Sequence, residues 1–214
     1  ADPLYQTLIP DEAVRRRLTP ELFHCDMDEM FETCEIFADS PELRGLIVVS
    51  DQTEKRSLMH FYLTEAKAQL ETDACLVRED MSLHTLRNFM KGENYLNSSW
   101  TSELGTAPRL HIIYLAVSPE HQHKGIAARL MNEVLRYADS EHMLVSLETH
   151  NANNVALYEH FGFTLYQKLN YNFPLSQYCL VRRAEPFALP MGSPRVWCGH
   201  MRPQERTAVA KNWE

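Results

Sequence analysis

The chain has 214 residues, 44% of them apolar, with Lys+Arg 21 against Asp+Glu 29, a formal charge of −8, five Cys and eleven Pro. That suits one globular domain, with or without a tail, and excludes disordered, collagen-like and coiled-coil classes. The acidic balance repels a phosphate backbone and tolerates a cationic substrate, so no nucleic-acid partner is expected. The start is not signal-like, the longest nearly apolar run is Leu110 to Val117, and the odd cysteine count contains no Cys-x-x-Cys pair. These features read as a soluble cytoplasmic protein with reduced thiols and no membrane partner.

Val14 to Leu18 reads as a short first strand. A helix follows from Pro20 or Asp26 to Ala38, carried by Met27, Met30, Phe31, Cys34 and Phe37 at helical spacing and ended by Pro41. A second helix is expected over Glu54 to Leu70, with Leu58, Tyr62, Ala66 and Leu70 in one stripe, then a strand at Ala74 to Val77. Ser82 to Met90 suits a helix, and a polar loop continues to residue 107. The second half is clearer. Leu110 to Val117 is a strand broken by Ser118-Pro119-Glu120, and Gly125 to Ala138 is a helix with Leu130, Met131, Val134, Leu135 and Ala138 in its stripe. Met143 to Leu147 is a strand, Asn153 to His160 a short helix, and Phe163 to Gln167 and Gln177 to Val181 are further strands. The order predicts a mixed α/β (α+β) domain with one right-handed parallel crossover and an antiparallel end. Proline density marks residues 185–214 as a tail on a domain of residues 1–184. That tail reads as a disordered end, a strap or a homodimer contact, and Phe187, Leu189, Val196 and Trp197 favour packing.

Chemistry concentrates in Gln122, His123, Lys124, Gly125, Ile126 and Ala127, between a buried strand and a helix start. Backbone N–H groups there lack intrahelical partners and the helix dipole is positive, so the turn suits an anionic group such as a pyrophosphate. Gly125 lets the backbone approach phosphates, and Lys124 adds charge at the rim. The turn is neither the Walker nor the Gly-x-Gly-x-x-Gly pattern, and alone it reads as an ordinary helix start before it reads as a phosphate site.

The whole constellation resembles the GNAT superfamily of acyl-CoA-dependent N-acetyltransferases: a strand ending in Val117-Ser118-Pro119, the loop Gln122 to Ala127 opening a helix, another strand, then Asn154 and Tyr158 before Gly162-Phe163. The resemblance covers residues 110–183. Leu147-Glu148-Thr149 and Phe37-Ala38-Asp39-Ser40-Pro41 look like the branch containing puromycin N-acetyltransferase and related small-amine enzymes. His123 departs from the common Gly, Ala127 replaces the second Gly, and the hairpin expected between Ala74 and about Ser82 is short or missing. The resemblance implies a GNAT fold: a mixed sheet splayed between the family's strands four and five, helices on both faces, and a CoA-binding core of about residues 108–184.

By that resemblance, backbone groups of Leu115, Ala116 and Val117 pair with the pantetheine arm and an amide there stabilises the tetrahedral oxyanion. Asn154 bonds the pantetheine, and Tyr158 is the general acid for the departing thiolate. An unperturbed phenol titrates at about 10 and suits that donation, although a tyrosine on a short helix also reads as core. Asn153 is a second candidate to cap that helix. Glu148 is the first candidate to accept the amine proton, or else to orient backbone or attract the ammonium. His111 and Tyr114 are lesser candidates. His121, His123, His142, His150 and His160 lack thiol or carboxylate companions at ligand spacing, so no metal is expected. Trp100, Trp197 and Trp213 read as surface or packing aromatics before pocket walls. The expected activity is acetyl transfer from acetyl-CoA, a co-substrate, to a primary amine on a small molecule by direct attack in a ternary complex, because no Cys adjoins these motifs in sequence. A protein or peptide N-acetyltransferase and an inert acyl-CoA-binding sensor are the alternatives.

Overall fold

The computed structural model describes residues 2–53, 58–81 and 83–184. Among these residues six strands, β1 (Glu35–Ala38), β2 (Gly45–Asp51), β3 (Arg109–Val117), β4 (Leu144–Thr149), β5 (Thr164–Asn170) and β6 (Ser176–Arg182), form one sheet in the order β1-β2-β3-β4-β6-β5. Only β3 and β4 pair in parallel. The helices are α1 (Pro3–Leu8), α2 (Glu12–Thr33), α3 (Leu58–Glu79), α4 (His84–Leu96), α5 (Ile126–Ser140) and α6 (Ala152–His160).

Alternation along the strands sends side chains to two cores. Ile47, Val49, Leu110, Ile112, Val145 and Leu147 meet the buried stripe of α5 on one face. Leu46 and Val48 meet Met27 of α2 on the other, with Tyr114 and Ala116 packed against them. Helices therefore cover both faces. Gly125 caps α5 without a side-chain hydrogen bond, while Ile126, Leu130, Met131, Val134, Leu135 and Ala138 are buried. A missing cap costs about 1 kcal/mol, whereas each fully buried aliphatic side chain contributes about 1.5–3 kcal/mol. Burial thus holds α5 in place while its first N–H groups lack intrahelical partners.

The first half departs from the sequence expectations. Val14 to Leu18 is helical, because Asp11 caps α2 by accepting the Val14 N–H at 2.9 Å and Leu18, Leu22 and Cys25 form a buried stripe. Pro20 lies inside that helix. The helix ends at Thr33, before Ala38 and without Pro41, because Cys34 is extended and Glu35 to Ala38 find ladder partners in Leu46 to Val49. β2 has no counterpart among the expected elements. Ala74 to Val77 belongs to α3, so the antiparallel hairpin beside β3 lies upstream, in β1 and β2, and not after Ala74. Glu54 to Ser57, the Leu58 side chain, Ser82, Cys198, Trp197, Trp213 and residues 185–214 lie outside the described residues.

Two irregularities shape β3. Val48 pairs with Tyr114 and Val49 with Ile112, so Ile113 is the extra residue of a β-bulge. Pairing with β4 is confined to Arg109 through Ile112 against Leu144 through Leu147. β3 then continues for five residues without β4. That is the splay, and it lies between this chain's third and fourth strands.

Candidate active site at the sheet gap

Backbone polarity in the gap follows from the pleat. The Ser118 N–H donates to the Arg44 carbonyl at 2.9 Å, on the β2 side. Alternation turns Ala116 the same way and turns Leu115 and Val117 toward the edge that β4 has left. The Gln122 amide donates to the Val117 carbonyl at 3.4 Å, which fits that direction. Of the three expected residues, Leu115 and Val117 therefore present backbone groups to the gap, while Ala116 is spent on the sheet.

The loop after β3 runs through a 3-10 turn, Pro119–His121, into α5. His123 has φ 61° and Gly125 φ 76°. Both stand in the left-handed region, which explains why glycine suits position 123; a histidine is tolerated there at some cost. At Gly125 an added Cβ meets nothing within 4 Å, so glycine serves φ and not space. Gln122 to Gly125 are exposed, Ile126 is buried in the core and Ala127 is half-buried. The Lys124 ammonium donates to the Glu120 carbonyl at 2.8 Å, so it braces the loop it belongs to.

Glu148 sits at the far wall with both oxygens occupied. The Ser98 hydroxyl donates to Oε1 at 2.6 Å, the Trp100 indole N–H donates to Oε2 at 2.8 Å, and His111 Nε2 stands 3.3 Å from Oε2. His111 Nε2 is also 2.9 Å from Ser98 Oγ, and its Nδ1 is 2.9 Å from Ser146 Oγ. Burial alone would raise the Glu148 carboxyl, but the His111 charge and the hydrogen bonds from His111, Ser98 and Trp100 hold it below the usual carboxylate range. Trp100 is thus buried and bonded to the site, not a surface aromatic. Ser98 and Trp100 come from the turn region before β3, 50 and 48 residues from Glu148 in sequence, and no local pattern marks them.

Leu110 and Ile112 point to the α5 face, so His111 between them, with Glu148, points to the other. Tyr158 packs on the α5 face with Leu115, Val117 and Val155. Its ring meets Phe163 edge-on at 6.0 Å. Burial, then the charge of Asp2, pushes its phenol above the usual value. Tyr158 and Glu148 thus stand on opposite faces of the sheet. Asn154 donates from Nδ2 to Thr149 Oγ1 at 3.4 Å, which ties α6 to the end of β4. The α6 cap is Asn151, which accepts the Asn153 N–H at 3.0 Å, and not Asn153.

Cys179 is the cross-strand partner of Glu148 and fully buried. Burial, then the charges of Glu148 and Glu103, push its thiol up to about 12, which leaves it a poor nucleophile. Among the described residues no group of His, Cys, Asp and Glu is arranged to hold a metal, and no helix is long and apolar enough to cross a membrane. A cavity of about 820 Å³ lies elsewhere, between α5 and the C-terminal end of α6, and neither Tyr158 nor Glu148 lines it.

Residues 90–163 match the family model described as Acetyltransferase (GNAT) family. The matched segment lies in the middle of the chain. It carries the gap, the loop into α5, Glu148 and Tyr158, and the mixed six-stranded sheet around it agrees with the GNAT fold. An uncharacterized N-acetyltransferase of Schizosaccharomyces pombe is 32% identical over 59 residues, which is 28% of this chain and 24% of that protein. The match thus spans about a quarter of that relative's length. The solved ribosomal-protein-S18-alanine N-acetyltransferase of Escherichia coli is 18% identical, with 42% of this chain and 59% of that chain covered and a TM-score of 0.34. The NatC complex bound to Gag peptide and CoA is 18% identical, covering 68% of this chain and 65% of that one at a TM-score of 0.39.

Proposed function

We propose that the protein transfers an acetyl group from acetyl-CoA to a primary amine on a small molecule, within a ternary complex. The observation that carries the reading is the gap itself: β3 backbone at Leu115 and Val117 turned to the edge that β4 has left, a helix start whose first N–H groups lack intrahelical partners at one end, and side chains of opposite faces at the other. The loop Gln122 to Ala127 would hold the pyrophosphate and Asn154 the pantetheine. The thioester carbonyl would lie by the Leu115 N–H, which stabilises the oxyanion when the amine attacks. Carbon–nitrogen bond formation is followed by loss of the thiolate, and Tyr158, kept protonated by burial, supplies its proton.

An alkylammonium titrates at about 10.4 and must lose a proton before attack. Glu148 would draw the ammonium in. With both oxygens bonded and its pKa held low by the His111 charge, it suits charge attraction better than proton storage, and the proton goes on to solvent water. The buried, protonated Cys179 argues for direct attack over a covalent acyl-enzyme.

The test is chromatographic detection of CoA released from acetyl-CoA across polyamines, aminoglycosides, aminonucleosides, amino acids and short peptides. Release with free amines is expected. Release confined to peptides would move the substrate to protein N-termini, and tight acetyl-CoA binding with no release on any acceptor would make the protein a sensor.

A further inference from the structure

His150 links the two halves of the site along the chain. It follows β4 directly, two residues after Glu148, and precedes Asn151, the cap of the helix that carries Asn154 and Tyr158. Its ring meets Tyr95 of α4 edge-on at 5.9 Å. Tyr95 packs in one core with Leu18 and Leu22 of α2, so the imidazole lies on the sheet face of Glu148 and not on that of α5.

Two unpaired side chains stand level there. His150 Nε2 is buried without a hydrogen-bond partner. The last β4–β6 pair is Thr149 with Tyr178, so Gln177 is the β6 residue level with His150, and it shares a face with Cys179, the partner of Glu148. Gln177 is fully buried, and neither its amide nitrogen nor its oxygen has a partner among the described residues. Tyr95 satisfies neither residue, because its hydroxyl donates to the Leu175 carbonyl at 3.0 Å and accepts the Tyr171 N–H at 2.7 Å. Buried polar groups are bonded as a rule, since an unpaired one forfeits its hydration. Here an imidazole and an amide are both unpaired, two residues from the carboxylate that would draw in the ammonium.

Burial holds the His150 imidazole below its usual value, against the charges of Asp2 and Glu148, so it is neutral and able to accept a proton at neutral pH. The Asp2 charge acts on Tyr158 as well. The charged and titratable groups around His150 are Asp2, Glu148 with His111 beside it, Tyr95, and Tyr171 against Tyr95.

We propose that His150 takes the proton from the acceptor ammonium and passes it to solvent water, with Gln177 as the residue that positions its ring. The proposal rests on the acetyl-transfer reading. One ammonium proton moves to the imidazole, and the freed lone pair attacks the thioester carbon. As the carbon–sulfur bond breaks, Tyr158 protonates the thiolate, and the second proton lost by the nitrogen restores the phenol. The imidazolium, its Nε2–H donating to Gln177 Oε1, then gives the first proton to water. Each turnover yields one amide, one thiol and one proton.

The test is the pH dependence of kcat/KM for CoA release with a free amine. If an enzyme base takes the proton, the ammonium form reacts, and the wild-type profile is level from the His150 value, below about 6.5, up toward the amine value of about 10.4. His150→Gln should lose about a hundredfold or more at unchanged acetyl-CoA affinity. Its residual rate should climb tenfold per pH unit toward 10.4, because only the free amine then reacts. Imidazole in the buffer should restore part of the rate to His150→Gly, which a folding defect does not allow. Gln177→Leu removes two unpaired polar atoms, so it should melt higher, yet turn over more slowly with its acid limb moved to lower pH. A wild-type rate that climbs to 10.4 without levelling, or a level profile kept in His150→Gln, overturns the proposal and leaves acetyl transfer standing. A Gln177→Leu protein that melts lower overturns the part given to Gln177. Silence of the wild type on every amine overturns the acetyl-transfer reading, and the proposal with it.

Discussion

Glu148 and Asp26 both stand on the sheet face away from α5, and their surroundings push them in opposite directions. Glu148 has a histidine and two further donors, and its pKa falls despite burial. Asp26, on α2, accepts the Tyr114 hydroxyl at 2.8 Å as its one side-chain donor among the described residues, and burial raises its pKa. Tyr114 in turn meets Tyr5, and burial and the nearby Asp26 charge push both phenols up. The lesson concerns partners: a buried carboxylate keeps its charge where donors and an opposite charge converge, and resists it where a phenol is the sole donor.

The comparison breaks most sharply at Glu148. Glu148→Ala strips the partner from the Trp100 N–H, Ser98 and His111 and should cost about 3 kcal/mol or more, read by urea unfolding at neutral pH. Its pKa is lowered on folding, so its contribution is complete above the ordinary carboxylate value and lost as pH falls through the folded value. The gap between wild type and variant should therefore close in acid. A gap that widens in acid would reverse the assignment. Trp100→Phe keeps a ring but removes one donor. It should cost about 1–2 kcal/mol, and in it the Glu148 carboxyl, followed by NMR, should titrate higher. Asp26→Asn is expected to have the smallest effect and the opposite sign. Its folded pKa is raised, so ionisation opposes folding as pH rises. The variant should be more stable at neutral pH by on the order of 1 kcal/mol, with the gain absent in acid. Loss of stability at neutral pH would show that Asp26 has a counter-charge after all.

The two regions also differ in how far the sequence exposes them. The Leu110 to Val117 run, the Pro119 break, Gly125 and the α5 stripe are local signals, and the elements of the second half lie within a few residues of expectation. The α2 boundaries were obscured because Ile36 and Phe37 extend an apolar periodicity that tertiary pairing with β2 overrides. Glu148 and Tyr158 are visible in the family pattern, but the state of Glu148 depends on Ser98 and Trp100. The Asp26 contact joins residues 88 apart in sequence. Such contacts leave no periodic trace.

The central claim is that the β3–β4 gap is where acetyl transfer occurs, with Tyr158 on one face supplying the proton to the leaving thiolate. Its most direct test is amine-dependent CoA release by wild type and Tyr158→Phe, beside acetyl-CoA affinity by calorimetry. The expected result is a fall in turnover of about a hundredfold or more at nearly unchanged affinity. A variant that releases CoA at the wild-type rate contradicts the account.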